Sequence, residues 1–265
     1  MLRTVLFVGA TLFAATAVIR HGGDARRVRG PQGQQAESSA WQAPTLPGPP
    51  TPAFEPKDVH VATGSTAHWA PILHAVAARM APRSTAAVVA PIGTLTPEGT
   101  RNIALVLGER RIAGMEWVRL SLAALPNGQT GWVPRSAIGG YHFVQTRLIV
   151  DRTRETMTLF RRGRRVFTAR VGVGRASTPT PPGRFYIRDR LTGYADPFYG
   201  PIAFGTSARS PVLTEWPEGG FVGIHGTNEP QRIPGHISHG CIRLRNPDIL
   251  RLAGLLPVGT PIIVR

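Results

Sequence analysis

The sequence predicts a mainly β protein with few short helices. Its 265 residues include 30 glycines and 25 prolines, which divide the chain into short segments separated by turns. Most of these segments are short apolar or alternating runs, which is the pattern of strands. The one clear helical stretch is residues 247–256, with Pro247 at its first position and Asn246 as the predicted N-cap. The length suffices for one or two domains with buried cores.

The first 58 residues are predicted to contain no folded domain. Residues 1–20 contain an apolar run flanked by arginines, which is typical of a signal peptide or of an uncleaved membrane anchor. Either interpretation places the rest of the chain outside the cytoplasmic membrane, in the cell wall or periplasmic space, secreted or anchored. Residues 21–58 are rich in Pro and Gly and are predicted to form a disordered linker.

Residues 59–141 are predicted to form a small β domain. Its candidate strands are residues 86–90, 103–107, 116–120 and 130–133, and Asn127-Gly128 predicts a two-residue type I′ hairpin. The pieces W-V-R-L and G-W-V-P within the last two strands resemble bacterial SH3-like (SH3b) domains. The resemblance implies a small β-barrel with a wall-targeting role. An alternative is that this module caps or orients the next one and binds nothing itself.

Residues 142–265 are predicted to form a second β module. Its candidate strands are residues 148–150, 156–160, 165–171, 221–224 and 262–264. The charged run R-R-G-R at 161–164 is interpreted as a solvent-exposed hairpin tip. The aromatic-rich residues 194–206, which include Tyr199, would either form the floor of a peptide groove or pack as a loop on the sheet.

The second module contains the only cysteine of the chain, Cys241, close in sequence to three histidines. A thiol attacks as the thiolate, and an imidazole that accepts its proton activates it. His239 is two positions away, but such close spacing rarely gives a well-aimed hydrogen bond. His225 ends a predicted strand, and a loop with prolines and glycine could bring it back to the thiol. The backbone N–H groups of Gly240 and Cys241 are candidate donors to an oxyanion.

Two plainer interpretations of the same residues stay open. A lone cysteine is often a small apolar core residue. Zinc could be held by His225, His236, His239 and Cys241, although the usual C-x-x-C or H-x-x-x-H pairing is missing. His236 is most simply a loop-packing or solvated histidine.

The motif S-H-G-C-I-R-L at 238–244, preceded by I-H-G-T-N-E-P at 224–230, resembles the signature of the L,D-transpeptidase (YkuD) catalytic domain. The pieces L-I-V-D at 148–151 and T-P-T-P-P-G-R-F at 178–185 extend the resemblance over roughly residues 145–265. It implies a β-sandwich or barrel of that type, without a metal or other cofactor.

The resemblance also implies a role for individual residues. Cys241 would be the nucleophile, His225 the base, and the backbone carbonyl of Gly226 the group that orients His225. The residues expected on the oxyanion and substrate side are Ser238, His239, Gly240, Arg243 and, from the aromatic segment, Tyr199. Arg243 would bind a substrate carboxylate, which suits a planar guanidinium.

The implied activity is peptidoglycan crosslinking. The thiolate would attack a tetrapeptide stem, release D-alanine and pass the acyl group to an amine of a neighbouring stem. Water as acceptor would make an L,D-carboxypeptidase, and a protein amine as acceptor would attach that protein to the wall. A wall-binding protein that does not use its thiol is the alternative from another class.

The charge of the chain points to anionic partners. The formal net charge is +16, and because Lys57 is the only lysine, arginine supplies nearly all of the positive charge. Such a surface attracts polyanions, of which anionic cell wall polymers are the expected ones. Nucleic acid is not expected, because no nucleic-acid-binding pattern is present. The expected partners are therefore stem peptides, wall polymers and, if residues 1–20 are uncleaved, the membrane.

Overall fold

The computed structural model describes residues 66–192, 196–214 and 220–265. The predicted signal peptide or anchor (1–20) and linker (21–58) lie outside these residues. Within the described ranges, no helix combines the length and the apolar character needed to cross a membrane. All the described residues belong to one compact unit.

The mainly β prediction is confirmed, because the described residues form two sheets and a single α-helix, α1 (Asn246–Ala253). The strands of the first sheet are β1 (Ala67–Pro71), β2 (Val76–Arg79), β3 (Val88–Ile92), β4 (Ile103–Ile112), β5 (Met115–Ser121), β6 (Thr130–Pro134) and β7 (His142–Val144). All neighbours pair antiparallel, in the order β3-β2-β6-β5-β4-β1-β7. Alternate residues such as Val118, Leu120 and Val133 form the core on one face.

Assignment of this first sheet to the SH3-like class stays a prediction. Three of its four candidate strands correspond to β4, β5 and β6, and the fourth overlaps β3. The sequence did not predict β1 or β2, which are short, rich in alanine and, in β1, end on a proline. β7, which the sequence assigned to the second module, pairs with β1.

The predicted tight hairpin at Asn127-Gly128 is wrong. The connection between β5 and β6 covers residues 122–129, and the N–H of Leu122 donates to the carbonyl of Gln129 over 2.9 Å. The side-chain amide of Asn127 instead pairs with the backbone of Arg209, accepting from its N–H at 3.0 Å and donating to its carbonyl at 2.7 Å. A tertiary contact therefore replaces the local turn.

The second sheet contains the remaining ten strands among the described residues. They are β8 (Thr146–Asp151), β9 (Thr156–Arg161), β10 (Arg164–Arg170), β11 (Gly172–Gly174), β12 (Gly183–Thr192), β13 (Ile202–Arg209), β14 (Phe221–His225), β15 (Gly235–Ser238), β16 (Ile242–Arg243) and β17 (Pro261–Val264). Their order is β10-β9-β8-β17-β12-β13-β14-β16-β11-β15. The five predicted strands of this module are confirmed.

The hairpin between β9 and β10 is also confirmed. Its two central residues, Arg162 and Gly163, have φ angles of 49° and 77°, as a type I′ turn requires, and both are exposed.

The helix begins differently from the prediction. Arg245 occupies the N-cap position without a side-chain hydrogen bond, and Asn246 is the first helical residue. The Asn246 side chain does not cap the helix; its Oδ1 accepts a hydrogen bond from the N–H of Thr227 at 2.9 Å. The amide therefore ties α1 to the segment that follows β14.

The two sheets share a small apolar cluster. Tyr186 of β12 is buried there with Ile103 and Leu105 of β4, and its hydroxyl donates to the carbonyl of Ile103 at 3.1 Å. Burial raises the pKa of Tyr186 to about 12. The hydroxyl therefore stays protonated at neutral pH and can keep donating to the first sheet.

Candidate active site

Two parallel strands bring Cys241 and His225 to one face of the second sheet. β14 and β16 pair with Ile224 opposite Ile242, and both isoleucines are buried in the core. Because side chains alternate along a strand, His225 in β14 faces the other side. Cys241, directly before β16, lies on that same side and is partly exposed. The pairing thus places residues sixteen positions apart in sequence next to each other.

Gly223 provides the space between these two side chains. A Cβ at this position would lie 3.9 Å from Cys241 Sγ and 4.0 Å from His225 Cδ2, in van der Waals contact with both side chains. The N–H of Gly223 donates to Sγ over 3.4 Å. A hydrogen bond of this kind favours the thiolate over the thiol.

The His225 ring is held in one tautomer. Its Nδ1 lies 2.7 Å from the carbonyl oxygen of Gly226, and a carbonyl can only accept, so Nδ1 carries the hydrogen. In the neutral imidazole, Nε2 is therefore the proton acceptor. The family resemblance implied such a contact between His225 and the Gly226 carbonyl.

Burial sets the protonation state of His225. The side chain is 2% exposed, and burial lowers its pKa from 6.5 to about 4; the Gly226 hydrogen bond opposes this shift and the charge of Arg243 adds to it. At neutral pH the resting imidazole is consequently neutral and able to accept a proton.

This lowered pKa predicts a pH-dependent stability. The unfolded chain takes up a proton near pH 6.5, whereas folded His225 resists protonation until about pH 4. The stabilisation is complete above pH 6.5 and is lost as the pH falls from there towards about 4, by about 3 kcal/mol in free energy of unfolding. Urea unfolding at several pH values should show a smaller pH dependence for His225→Gln than for the wild type. His236→Gln, at an exposed position, is the control, and equal slopes for wild type and His225→Gln would contradict the prediction.

The Gly226 carbonyl is itself fixed by close backbone packing. A Cβ on Gly226 would overlap Oδ1 of Asn246 and lie 3.0 Å from Cα of Gly200. Gly200 follows the 3-10 helix Pro197–Tyr199, which carries aromatic rings to the histidine. The ring centroids of Tyr199 and His225 are 5.1 Å apart in an edge-on arrangement. Tyr199 therefore packs against the imidazole.

The loop before the thiol differs from the sequence prediction in one respect. The N–H of Gly240, expected to be an oxyanion donor, donates instead to Oγ of Ser238 at 3.1 Å. The Ser238 hydroxyl in turn donates to the Cys241 carbonyl at 2.5 Å, so it braces the loop from within. Gly240 has a φ of +121°, a backbone conformation that side chains disfavour. Gly240 therefore sets the path of the chain into Cys241, and the role of the Cys241 N–H as an oxyanion donor stays a prediction.

Thr180 orients this loop, and the sequence analysis did not select it. Its side chain is 1% exposed, and its hydroxyl donates to the Gly240 carbonyl at 2.8 Å while accepting from Gly174 N–H at 2.9 Å. In a trans peptide the C=O and the following N–H point in opposite directions. Holding the Gly240 carbonyl therefore sets the direction of the Cys241 N–H. The T-P-T-P-P-G segment that contains Thr180 was the available signal.

Replacing Thr180 with valine should lower kcat by about 10- to 100-fold with little change in KM, because the Gly240–Cys241 peptide, whose N–H is the predicted oxyanion donor, loses its anchor. Thr180→Ser keeps the hydroxyl and should retain most of the activity. Steady-state kinetics on both variants makes the comparison. Equal losses in the two would assign Thr180 to packing instead.

Arg243 lies beside the aromatic segment with a partner from this chain. Its guanidinium carbon is 4.2 Å from the ring centroid of Phe198, and Nη1 is 3.3 Å from a carboxylate oxygen of Glu229. The side chain is 4% exposed. Arg243 thus already pairs with one carboxylate, and its binding of a substrate carboxylate stays a prediction.

A cleft opens over the thiol. Its lining includes Cys241, His225, His239, Arg243 and Tyr199. The other lining residues are Phe198, Ser210, Leu213, Gly220, Phe221, Val222 and Ser238.

His236 is absent from the lining of this cleft. Its Nδ1 is 3.1 Å from the Gly174 carbonyl and its Nε2 is 3.8 Å from Glu155. In the described ranges, no group of three or more His, Cys, Asp or Glu side chains is arranged to hold a metal ion.

Comparison with known proteins gives a consistent family match. Residues 145–264 match the family of L,D-transpeptidase catalytic domains named YkuD. The chain is 36% identical over 118 residues to the proposed L,D-transpeptidase YkuD of Bacillus licheniformis, covering 44% of this chain and 64% of that protein. It is 36% identical over 110 residues to the Bacillus subtilis counterpart, covering 42% and 60%. The matched stretch thus spans less than two thirds of either relative.

Among solved structures, the NMR structure of the catalytic domain of an Enterococcus faecium L,D-transpeptidase is similar, with 24% identity and a TM-score of 0.34. The match covers 45% of this chain and 96% of that domain.

Proposed function

We propose that this protein is a peptidoglycan L,D-transpeptidase that works through Cys241, and the match of residues 145–264 to the L,D-transpeptidase (YkuD) catalytic-domain family supports this proposal. The observation that carries the proposal is the pairing of β14 with β16. It brings the only thiol of the chain to the face of a buried, neutral imidazole whose Nδ1–H is already held by Gly226.

The first half of the reaction is an acyl transfer to sulfur. The Cys241 thiol gives its proton to Nε2 of His225, and Sγ attacks the carbonyl carbon of the L,D-peptide bond in a tetrapeptide stem. The N–H of Cys241 donates to the oxyanion that forms. The C–N bond then breaks, the proton on His225 passes to the leaving nitrogen, and D-alanine departs from a thioester.

The second half regenerates the thiol. An amine of a neighbouring stem gives a proton to His225 and attacks the thioester carbonyl. The C–S bond breaks, a new amide crosslinks the two stems, and the proton returns to sulfur. Arg243 is proposed to help hold a stem carboxylate, and His239 and Tyr199 to line the stem's path. The scheme needs one nucleophile and one base.

The proposed place of action is the cell envelope. An apolar run over residues 1–20 supports export, whether it is cleaved or kept as an anchor. A net charge of +16, almost all from arginine, supports attraction to anionic wall polymers.

The test uses the purified full chain with a disaccharide-tetrapeptide, with and without an acceptor amine, and reads the products by mass spectrometry. A crosslinked dimer with loss of D-alanine, made by the wild type and absent with Cys241→Ala, is the expected result. Release of D-alanine without dimer would make the protein a carboxypeptidase. No product from a folded wild type would overturn the proposal.

A further inference from the structure

Phe221 lies where the cleft meets the first sheet. It is the first residue of β14, four positions before His225, and it is a lining residue of the cleft over Cys241. The same side chain also lines a groove between the two sheets, together with Pro97 of the β3–β4 connection and Ile103 of β4. A change in the position of this ring would therefore change the wall of the cleft.

Two arginines hold the Phe221 ring. The guanidinium carbon of Arg188, in β12, lies 3.8 Å from the ring centroid, and that of Arg209, at the end of β13, lies 5.1 Å from it. Such contacts between a cation and an aromatic face are attractive, most of all away from water. Arg188 is 2% exposed, so its contact is largely desolvated.

The first sheet neutralises the charge of Arg188. Nη2 of Arg188 lies 2.7 Å from a carboxylate oxygen of Glu98, whose side chain is 7% exposed. Glu98 belongs to the turn between β3 and β4. A buried guanidinium needs such a partner, because an uncompensated charge in the interior is costly. Glu98 therefore sets where the Arg188 head group sits, and through it where Phe221 sits.

The first sheet also holds the second arginine. The amide of Asn127 makes two hydrogen bonds with the backbone of Arg209, at 2.7 and 3.0 Å, although 82 positions separate the two residues. Arg209 is paired with Phe221 between β13 and β14. Both contacts of the Phe221 ring thus depend on side chains from the loops of the first sheet.

We propose that Phe221 contacts the stem peptide and helps to determine its binding. Glu98 and Asn127 are positioning residues: they hold the Phe221 side of the cleft, Glu98 through Arg188 and Asn127 through Arg209. The inference rests on the proposed function of the Cys241 site. It gives the first sheet a part in substrate binding, although residues 66–144 lie outside the matched catalytic domain.

The variants follow from these contacts. Glu98→Gln keeps the shape and removes the charge, and Glu116→Gln is its control, because Glu116 pairs with Arg111 on the exposed part of the same sheet. Asn127→Ala removes the two backbone hydrogen bonds. Gln129→Ala is its control, because the Gln129 amide bonds only within the loop, to Leu125. Phe221→Leu replaces the aromatic ring in the cleft lining itself.

Two readouts separate substrate binding from chemistry. The first is KM and kcat for the tetrapeptide stem. The second is the alkylation rate of Cys241 by small iodoacetamide and by bulky N-benzylmaleimide, which reports on one site because the chain has a single cysteine. Thermal unfolding of each variant checks that it folds.

We expect Glu98→Gln, Asn127→Ala and Phe221→Leu each to raise KM about tenfold while kcat changes less than about threefold. The rate of Cys241 alkylation by iodoacetamide should stay within about twofold of the wild-type rate. The ratio of the N-benzylmaleimide rate to the iodoacetamide rate should differ from the wild-type ratio by about threefold or more. The two controls should leave all these values unchanged. If Glu98→Gln does not fold, the other two variants decide the matter.

Different outcomes would contradict this inference and the proposed function. Folded variants with wild-type KM and an unchanged ratio of alkylation rates would overturn the inference while leaving the proposed function standing. A fall in kcat and in the iodoacetamide rate at constant KM would also overturn it, because the first sheet would then act on the chemistry. A wild type without turnover would refute the proposed function, and the ratio of alkylation rates would still test whether the first sheet shapes the cleft.

Discussion

Replacing Cys241 with alanine is expected to lower the rate of crosslink formation by at least about 10³-fold, because the covalent intermediate can no longer form. Cys241→Ser should be nearly as inactive, since a serine hydroxyl stays protonated beside a base of such low pKa. Both steps of the proposed reaction pass through this sulfur, so release of D-alanine should fall together with crosslinking. Mass spectrometry of the products with each variant measures the two losses.

The same variants should still fold and bind substrate. Cys241 is partly exposed and lines the cleft, so removal of its sulfur leaves the buried core intact. Melting temperature and stem-peptide affinity are therefore the controls for Cys241→Ala. Crosslinking at a tenth of the wild-type rate or more would show that the thiol is not the nucleophile.

Replacing His225 with glutamine is expected to lower turnover by about 10²- to 10⁴-fold, because the chain loses the proton acceptor in both halves of the reaction. Alkylation of Cys241 by iodoacetamide near neutral pH should slow as well, since a neighbouring imidazole promotes the thiolate. In the wild type, His225 stays neutral until the pH approaches about 4, so its protonation should not limit activity between there and neutral pH. Stopped assays across this range measure the acid limb.

Two other histidines serve as comparisons for His225→Gln. His236 lies outside the cleft lining, so His236→Gln should have wild-type kinetics. His239 is exposed at the cleft, and the sequence left it open as the base. A larger loss in His239→Gln than in His225→Gln would transfer the role of base to His239.

Part of the site could be predicted from the sequence because its chemistry depends on residue types. A single cysteine close to three histidines predicted a thiol nucleophile with an imidazole base. The family resemblance then implied Cys241 as the nucleophile, His225 as the base and the Gly226 carbonyl as the group that orients it. The structure brings these three together, with the Gly226 carbonyl 2.7 Å from the ring. What the sequence could not show was the pairing of β14 with β16, which puts the thiol beside Gly223.

The loop from Ser238 to Cys241 could not be predicted in the same way. Whether a backbone N–H is available depends on which acceptor lies nearby, and Ser238 accepts the one from Gly240. Thr180 reaches the same loop across 60 positions of sequence. Nothing in the local pattern distinguishes a threonine that orients a peptide from one that packs in a turn.

The sequence by itself determined the mainly β class, the central strands, the β9–β10 hairpin and the residue types that permit acyl transfer through a thiol. These features depend on alternation, turn propensity and side-chain chemistry, which act over a few neighbouring residues. Only the tertiary structure decided the long-range partners. Asn127 does not form the predicted tight turn and is hydrogen-bonded to Arg209 instead, and Glu98 neutralises Arg188, which lies 90 positions away in sequence. The reason is physical: burial makes unpaired charges and backbone groups costly, so each finds whichever partner the packed sheets bring near, irrespective of its distance along the chain.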